Sequence, residues 1–224
     1  MKTMSGDFLP IIKWNAQSGR MSRIDRGEEP RDIPFGTTFA FDFGTLEAGY
    51  VFFGMQGPER VMVPYSEGVT LPAQPQERDE KGALIKKPGF YVKVIGNAFD
   101  GAREWCSNAA SLLNAIDGLY QRYKVAPEAA AGKIPVIIIT GVTAIHTGTG
   151  QRKTTNYAPN FEIKQWVDRP AELGPRTTPL PGWQPAVQAP PPVQAAPPPP
   201  PVQTALPPVQ QPAQQPPPRP TMPF

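Results

Sequence analysis

The sequence predicts a mainly β, barrel-like body with one α-helix, followed by a disordered, proline-rich tail. Three observations carry this. Apolar residues recur at every second position in several short runs, the spacing of half-buried strands. One segment switches to helical spacing. Twenty of the 32 prolines fall in residues 175–224, and so dense a set can neither propagate a helix nor pair as a central strand. The expected division is a body over 1–174, large enough to bury a core without staples, and a tail over 175–224.

Residues 1–32 read as polar and turn-rich, with Ile11, Ile12 and Trp14 as a short apolar island. Phe35, Thr37, Phe39, Phe41 and Phe43 then share one face of a strand. The stripe is either core or a base-stacking platform, and core is the commoner use. AGYVFFGM resumes after Gly44 and Thr45, and RVMVPY is short enough to be a third strand stopped at Pro64. Residues 66–88 carry three prolines and many charges, the composition of a long exposed loop. GFYVKVIG at 89–96 alternates again, with Phe90, Val92 and Val94 on one face and Tyr91, Lys93 and Ile95 on the other.

The period changes after that. Trp105, Ala109, Leu112, Leu113, Ile116, Leu119, Tyr120 and Tyr123 form one stripe of an amphipathic helix. Asn97 or Asp100 is positioned to cap its start, and Pro127 lies just past its end. The β-branched run IPVIIITG, a Gly- and Thr-rich basic loop at 148–156, and NFEIKQWVD complete the body. Several strands, one helix, then two strands is the order of an OB-fold barrel. A small α+β sandwich fits the same string, whereas a parallel α/β sheet would need more helices.

Charge excludes a bulk electrostatic mechanism. The formal net charge is +3, of which Arg176 and Arg219 in the acid-free tail supply two. Binding to phosphates must then come from local patches. A single cysteine and a single histidine leave neither an intramolecular disulfide nor a Cys/His zinc cluster. No run approaches the roughly 18 apolar residues of a membrane-spanning helix, and MKTMSGDFLP has no signal-peptide core, so a soluble cytoplasmic protein is expected. GTGQRKTT is not a phosphate loop, because Arg152 rather than Gly precedes Lys153. No metal, cofactor or catalytic residue is expected, and Cys106 and His146 read as a packed cysteine and a surface histidine.

The chemistry that remains is stacking plus local cations. Tyr91 lies on a strand face with Lys93, and Trp166 shares one with Lys164. Each aromatic either stacks on bases or is half-covered by a loop. Arg152 and Lys153, with neighbouring threonines, suit phosphate oxygens. The tail is a solvated, polyproline-biased spacer that finishes on an aromatic, Phe224, bearing the terminal carboxylate.

A body of OB-like order, a Pro/Gln-rich linker and a final Pro-Phe resemble the bacterial single-stranded DNA-binding proteins. GFYVKVIG, REWCSNAASLLNAIDGLY, AGKIPVIIITG and TNYAPNFEIKQWVDRP resemble phage or prophage proteins of that type, over roughly residues 33–170. The resemblance implies non-catalytic coating of single-stranded DNA in replication or recombination, in a bacterial host's cytoplasm. It also implies that Pro223 and Phe224 dock replication or recombination proteins, although Arg219, Pro220 and Thr221 stand where that family has acids. A homo-oligomer is compatible with it. The alternative is a structural or adaptor protein whose proline-rich tail docks on an aromatic groove, and an enzyme with an unrecognised site is a third reading.

Overall fold

A computed structural model describes residues 10–25, 27–54, 57–66, 68–148 and 153–181. The described residues form nine strands: β1 (Ile11–Asn15), β2 (Arg20–Ile24), β3 (Arg31–Ile33), β4 (Thr38–Gly54), β5 (Gly57–Pro64), β6 (Lys87–Gly96), β7 (Gly101–Ser107), β8 (Ile134–Thr147) and β9 (Thr154–Val167). Helix α1 (Ala110–Lys124) and the single turn α2 (Pro127–Ala130) lie between β7 and β8.

All nine strands belong to one curled, half-barrel sheet of order β3-β2-β1-β7-β6-β4-β8-β9, with β5 paired to β4 beside this path. Along the chain, several strands precede helix α1 and β8 and β9 follow it, the OB-like element order expected from the sequence, and β7-β6-β4-β8-β9 lie side by side in the sheet. Neighbours are antiparallel except β1 and β7, which pair in parallel at Ile11–Glu104 and Ile12–Trp105. The residue after β1 bonds onward, with Tyr157 N donating to Ala16 O at 2.6 Å. The N-terminal strands therefore tie β7 to the start of β9.

The core sits on the inner face. Trp105 is fully buried and meets Phe39, Phe41, Phe90 and Phe161 edge-on, with ring centroids 6.0–6.2 Å apart. Such edge-to-face pairs stabilise beyond their buried area. Helix α1 lays Leu112, Ile116, Leu119, Tyr120 and Tyr123 against this core, and Phe43 stacks on Tyr123 at 4.4 Å.

Four expectations change. Trp105 and Cys106 lie on β7, not on the helix, which begins at Ala110. GAREWCS alternates Arg103, Trp105 and Ser107 inward, and pairing with β6 overrides the helical spacing. Asn97–Phe99 and Asp100 form the β6–β7 turn, with Asp100 at φ 56°, rather than a helix cap. Residues 11–33 hold three strands; their five- and three-residue lengths are too short to alternate visibly, yet Ile12, Trp14, Met21 and Ile33 are buried. Phe35 stands apart from its stripe at 49% exposure, while Phe39, Phe41 and Phe43 are buried.

β4 bends where its pairing with β6 shifts register between Asp42 and Glu47. Asp42, fully buried, holds the bend: its Oδ1 accepts from Gly44 N at 3.0 Å, and its carbonyl accepts from Thr45 Oγ1 at 2.9 Å. Its Oδ2 accepts from Arg169 Nε and Nη2 at 2.9 and 2.7 Å. Arg169 also donates to Gly174 O at 2.6 Å. The chain beyond β9 then crosses the outer face as a strap. Thr177 N and Thr178 N donate to Gly44 O, and Thr178 Oγ1 donates to Leu46 O. Leu173, buried on this strap, caps a second apolar cluster with Ala40 and Ile134. The body is thus bonded through Thr178, past the boundary drawn from proline density.

Replacing Asp42 with Ala strands a mostly buried guanidinium and frees the bend. The expected loss is about 3 kcal/mol or more, read as a shift in the urea midpoint. A midpoint within error of wild type would show that the pair does not hold the fold.

Candidate nucleic-acid interface

The outer face of β6 and β7 is where the sequence placed Tyr91 and Lys93, and it is covered. Tyr91 is only 7% exposed. Its hydroxyl donates to Glu104 Oε1 at 2.9 Å, and the Arg60 guanidinium of β5 lies 4.2 Å over its ring. Lys93 Nζ donates to Leu173 O of the strap at 3.0 Å. Neither side chain is an open stacking platform, because two elements distant in sequence fold over them.

β5 reaches this face through a glycine pair. Gly49 and Gly89 stand opposite each other in register. A Cβ on Gly49 would sit 2.1 Å from Val61 O, and one on Gly89 would sit 2.5 Å from Val51 Cγ1. Only residues without a side chain let the β4–β5 hairpin approach this closely.

The resulting cluster is charge-balanced. Arg60 and Lys93 face Glu47 and Glu104, and Arg60 Nη1 lies 3.7 Å from Glu104 Oε2. Burial pushes the Glu47 carboxyl above its ordinary range; Arg60 opposes this, Glu104 adds to it, and Lys93 opposes it. Burial likewise pushes the Cys106 thiol up to about 12, leaving almost no thiolate near neutrality. Among the described residues, no three of His, Cys, Asp and Glu converge as a metal site. A neutral, covered cluster is a poor attractor for phosphate.

Trp166 and Lys164 do not share a face as expected. Val136 pairs with Gln165 but Ile137 pairs with Ile163, so Lys164 is an extra residue in β9. Such a bulge reverses the faces of all that follows. Trp166 therefore turns inward, packs on the core and stacks on Tyr123 at 6.0 Å, with the planes 27° apart. Lys164 stays exposed and pairs with Glu162 at 2.8 Å. Lys153 is exposed just before β9, roughly 35 Å from Lys164 along an extended strand. Arg152, Pro223 and Phe224 lie outside the described residues. The described members of the expected patch are thus not brought together: Tyr91 and Lys93 belong to one covered cluster, Trp166 packs against the core, Lys164 is exposed beside Glu162, and Lys153 lies at the far end of a hairpin.

What is exposed is a pair of hairpin arms. β8 meets β4 only over Thr38–Ala40, whereas β5 meets it over Glu47–Gly54, so the arms leave β4 at opposite ends. The β8–β9 arm carries a ladder of hydroxyl, amide and imidazole groups. Thr143 Oγ1 donates to Asn160 Oδ1, His146 Nδ1 bonds Thr155 Oγ1, and Thr147 bonds Thr154. The arm is fixed midway, where Tyr157 O accepts from both Trp14 Nε1 and Ser111 Oγ. The β4–β5 arm exposes Phe53, at 48%, near Lys87. Arg60 and Phe53 were missed in the sequence, where the adjacent aromatics of VFFG and the cation of ERV were the available signals. No protein-family model, no curated protein and no solved structure matches the chain. No helix among the described residues is long and apolar enough to cross a membrane.

Trp166→Ala should cost about 2 kcal/mol of stability, because it opens a cavity beside Tyr123. A variant that melts like wild type would place the indole in solvent.

Glu47 gives a pH test. A raised pKa means that the folded state holds this proton more tightly than the unfolded chain does. Ionised Glu47 therefore opposes folding above its folded pKa, and this penalty vanishes below the unfolded value of 4.5. Glu47→Gln should raise the melting temperature at pH 7, and the gain should disappear below about pH 4. A gain independent of pH would assign the effect to something other than the charge.

Proposed function

We propose that the chain binds single-stranded DNA without catalysis, in phage replication or recombination, through its two hairpin arms. The observation that carries this is the departure of the two arms from opposite ends of β4 in an OB-like sheet. In OB folds the loops joining strands 1 to 2 and 4 to 5 take oligonucleotides, together with the face between them. Here the strap and Arg60 cover much of that face, which leaves the arms as the contact surface.

The side chains of the arms have suitable chemistry. Thr, Asn and Lys side chains are ordinary donors to phosphate oxygens, and Lys153 stands exposed at the far end of the β8–β9 arm. The exposed ring of Phe53 supplies a sequence-tolerant stacking surface. The small net charge of +3 makes binding depend on these local groups. Pro223 and Phe224 offer a ring and a carboxylate to a protein partner, a combination that chain-end recognition uses.

A dT oligomer should bind at low salt in preference to a duplex of equal length, and affinity should fall as salt rises. Equal affinity for both forms, or none for either, overturns the reading. Deleting Phe224 should remove co-purifying replication or recombination proteins while leaving dT affinity unchanged. Identical recovered partners would reduce the tail to a spacer.

A further inference from the structure

The cleft between the β4–β5 arm and the loop before β6 is chemically distinct from both the covered face and the β8–β9 arm. It is open, has a volume of about 360 Å³, and is lined by Phe52, Phe53, Leu84, Ile85, Lys87 and Asn108, with Ala83 and Asp79 completing the lining. That volume lies within the usual range of small-ligand sites. Phe53 leaves about half its surface in water, and with Phe52, Leu84 and Ile85 it forms the apolar part of the lining.

The polar groups are few and of complementary kinds. Asn108 is half-buried, and its side-chain amide makes no hydrogen bond among the described residues. It presents one acceptor and two donor hydrogens, which suits the mixed edge of a base. Lys87 is exposed, and no described carboxylate lies within ion-pair distance of it. By contrast, Lys86 next to it is paired with Glu77 and Glu59. Asp79 is committed to its own loop, with Oδ1 accepting from Lys81 N and Ala83 N, both at 2.9 Å. Those two bonds and the Arg78–Leu84 bridge hold the wall of the cleft in place.

Two phenyl rings, an unengaged amide and an unpaired, exposed cation match a flat heteroaromatic ring with an attached phosphate. We infer that this cleft is a nucleobase subsite for one nucleotide of a single strand. The base stacks on Phe53, its edge meets Asn108, and the neighbouring phosphate meets Lys87. This rests on the single-stranded DNA reading and assigns it residues that the sequence did not point to.

The test uses the full chain and a dT oligomer in which 5-iodouracil replaces some thymines. Irradiation followed by peptide mapping should place cross-links on Phe52 or Phe53. Phe53→Ala should lower dT affinity about 5- to 100-fold, the usual range for losing one stacked base. Lys87→Gln should lower it less and reduce the slope of log K against log salt by about 0.7. Both side chains are exposed, so melting temperatures should match wild type and confirm that affinity, not folding, changed. Wild-type binding with no loss in either variant, and cross-links only outside 50–54 and 79–87, overturns the subsite but leaves the broader reading intact. Failure of the wild-type chain to bind dT at all overturns both.

Discussion

A single buried ion pair joins the bend of the longest strand to the chain that follows the last one. Asp42 has no exposed surface, and a carboxylate in that position is tolerable only if fully bonded. Arg169 supplies two donors to the same oxygen, and Gly44 N satisfies the other. Removing either member would strand a charge, which costs far more than the pair itself gains. What the pair provides is position. It sets where β4 turns from pairing with β8 to pairing with β5, and it starts the strap that carries Leu173 onto the outer face.

The consequence is a sheet with apolar packing on both faces. The inner face holds the aromatic cluster around Trp105, and the outer face holds Ala40, Ile134 and Leu173. Lys93 and Tyr91 are drawn into this closure, one bonded to the strap and the other roofed by Arg60. With the outer face closed, the proposed DNA contact falls to the arms. The arms end in two-stranded stretches, β4–β5 beyond Val51 and β8–β9 beyond the pairing with β4, with polar or aromatic groups in solvent.

Local pattern was enough for the core strands and the helix. Phe90, Val92 and Val94, and Leu112, Ile116, Leu119, Tyr120 and Tyr123, are buried as their periods require. It failed where a distant partner decided the outcome. Trp105 fits a helical stripe and a strand equally well, and only β6 beside it selects the strand. Trp166 was assigned to the polar face by strict alternation, but the extra residue at Lys164 reversed that parity, and nothing in KQW marks a bulge. Tyr91 beside Lys93 does lie on the outer face as alternation demands. Its ring is roofed by Arg60, 31 residues away in sequence, and Lys93 beside it is bonded to Leu173 O, 80 residues away. The charged residues Asp42 and Arg169 were legible as polar interruptions, but their pairing across the fold was not.

Amide hydrogen exchange with and without a dT oligomer tests the sealed outer face most directly. In the free protein, the amides of Thr177, Thr178 and Lys93 should exchange only on global unfolding, as slowly as Val92 in the core. On adding the oligomer they should not change, while protection increases in the β4–β5 and β8–β9 arms. Strap amides that exchange at the rate of a frayed terminus, or that lose protection when the oligomer binds, would contradict the account.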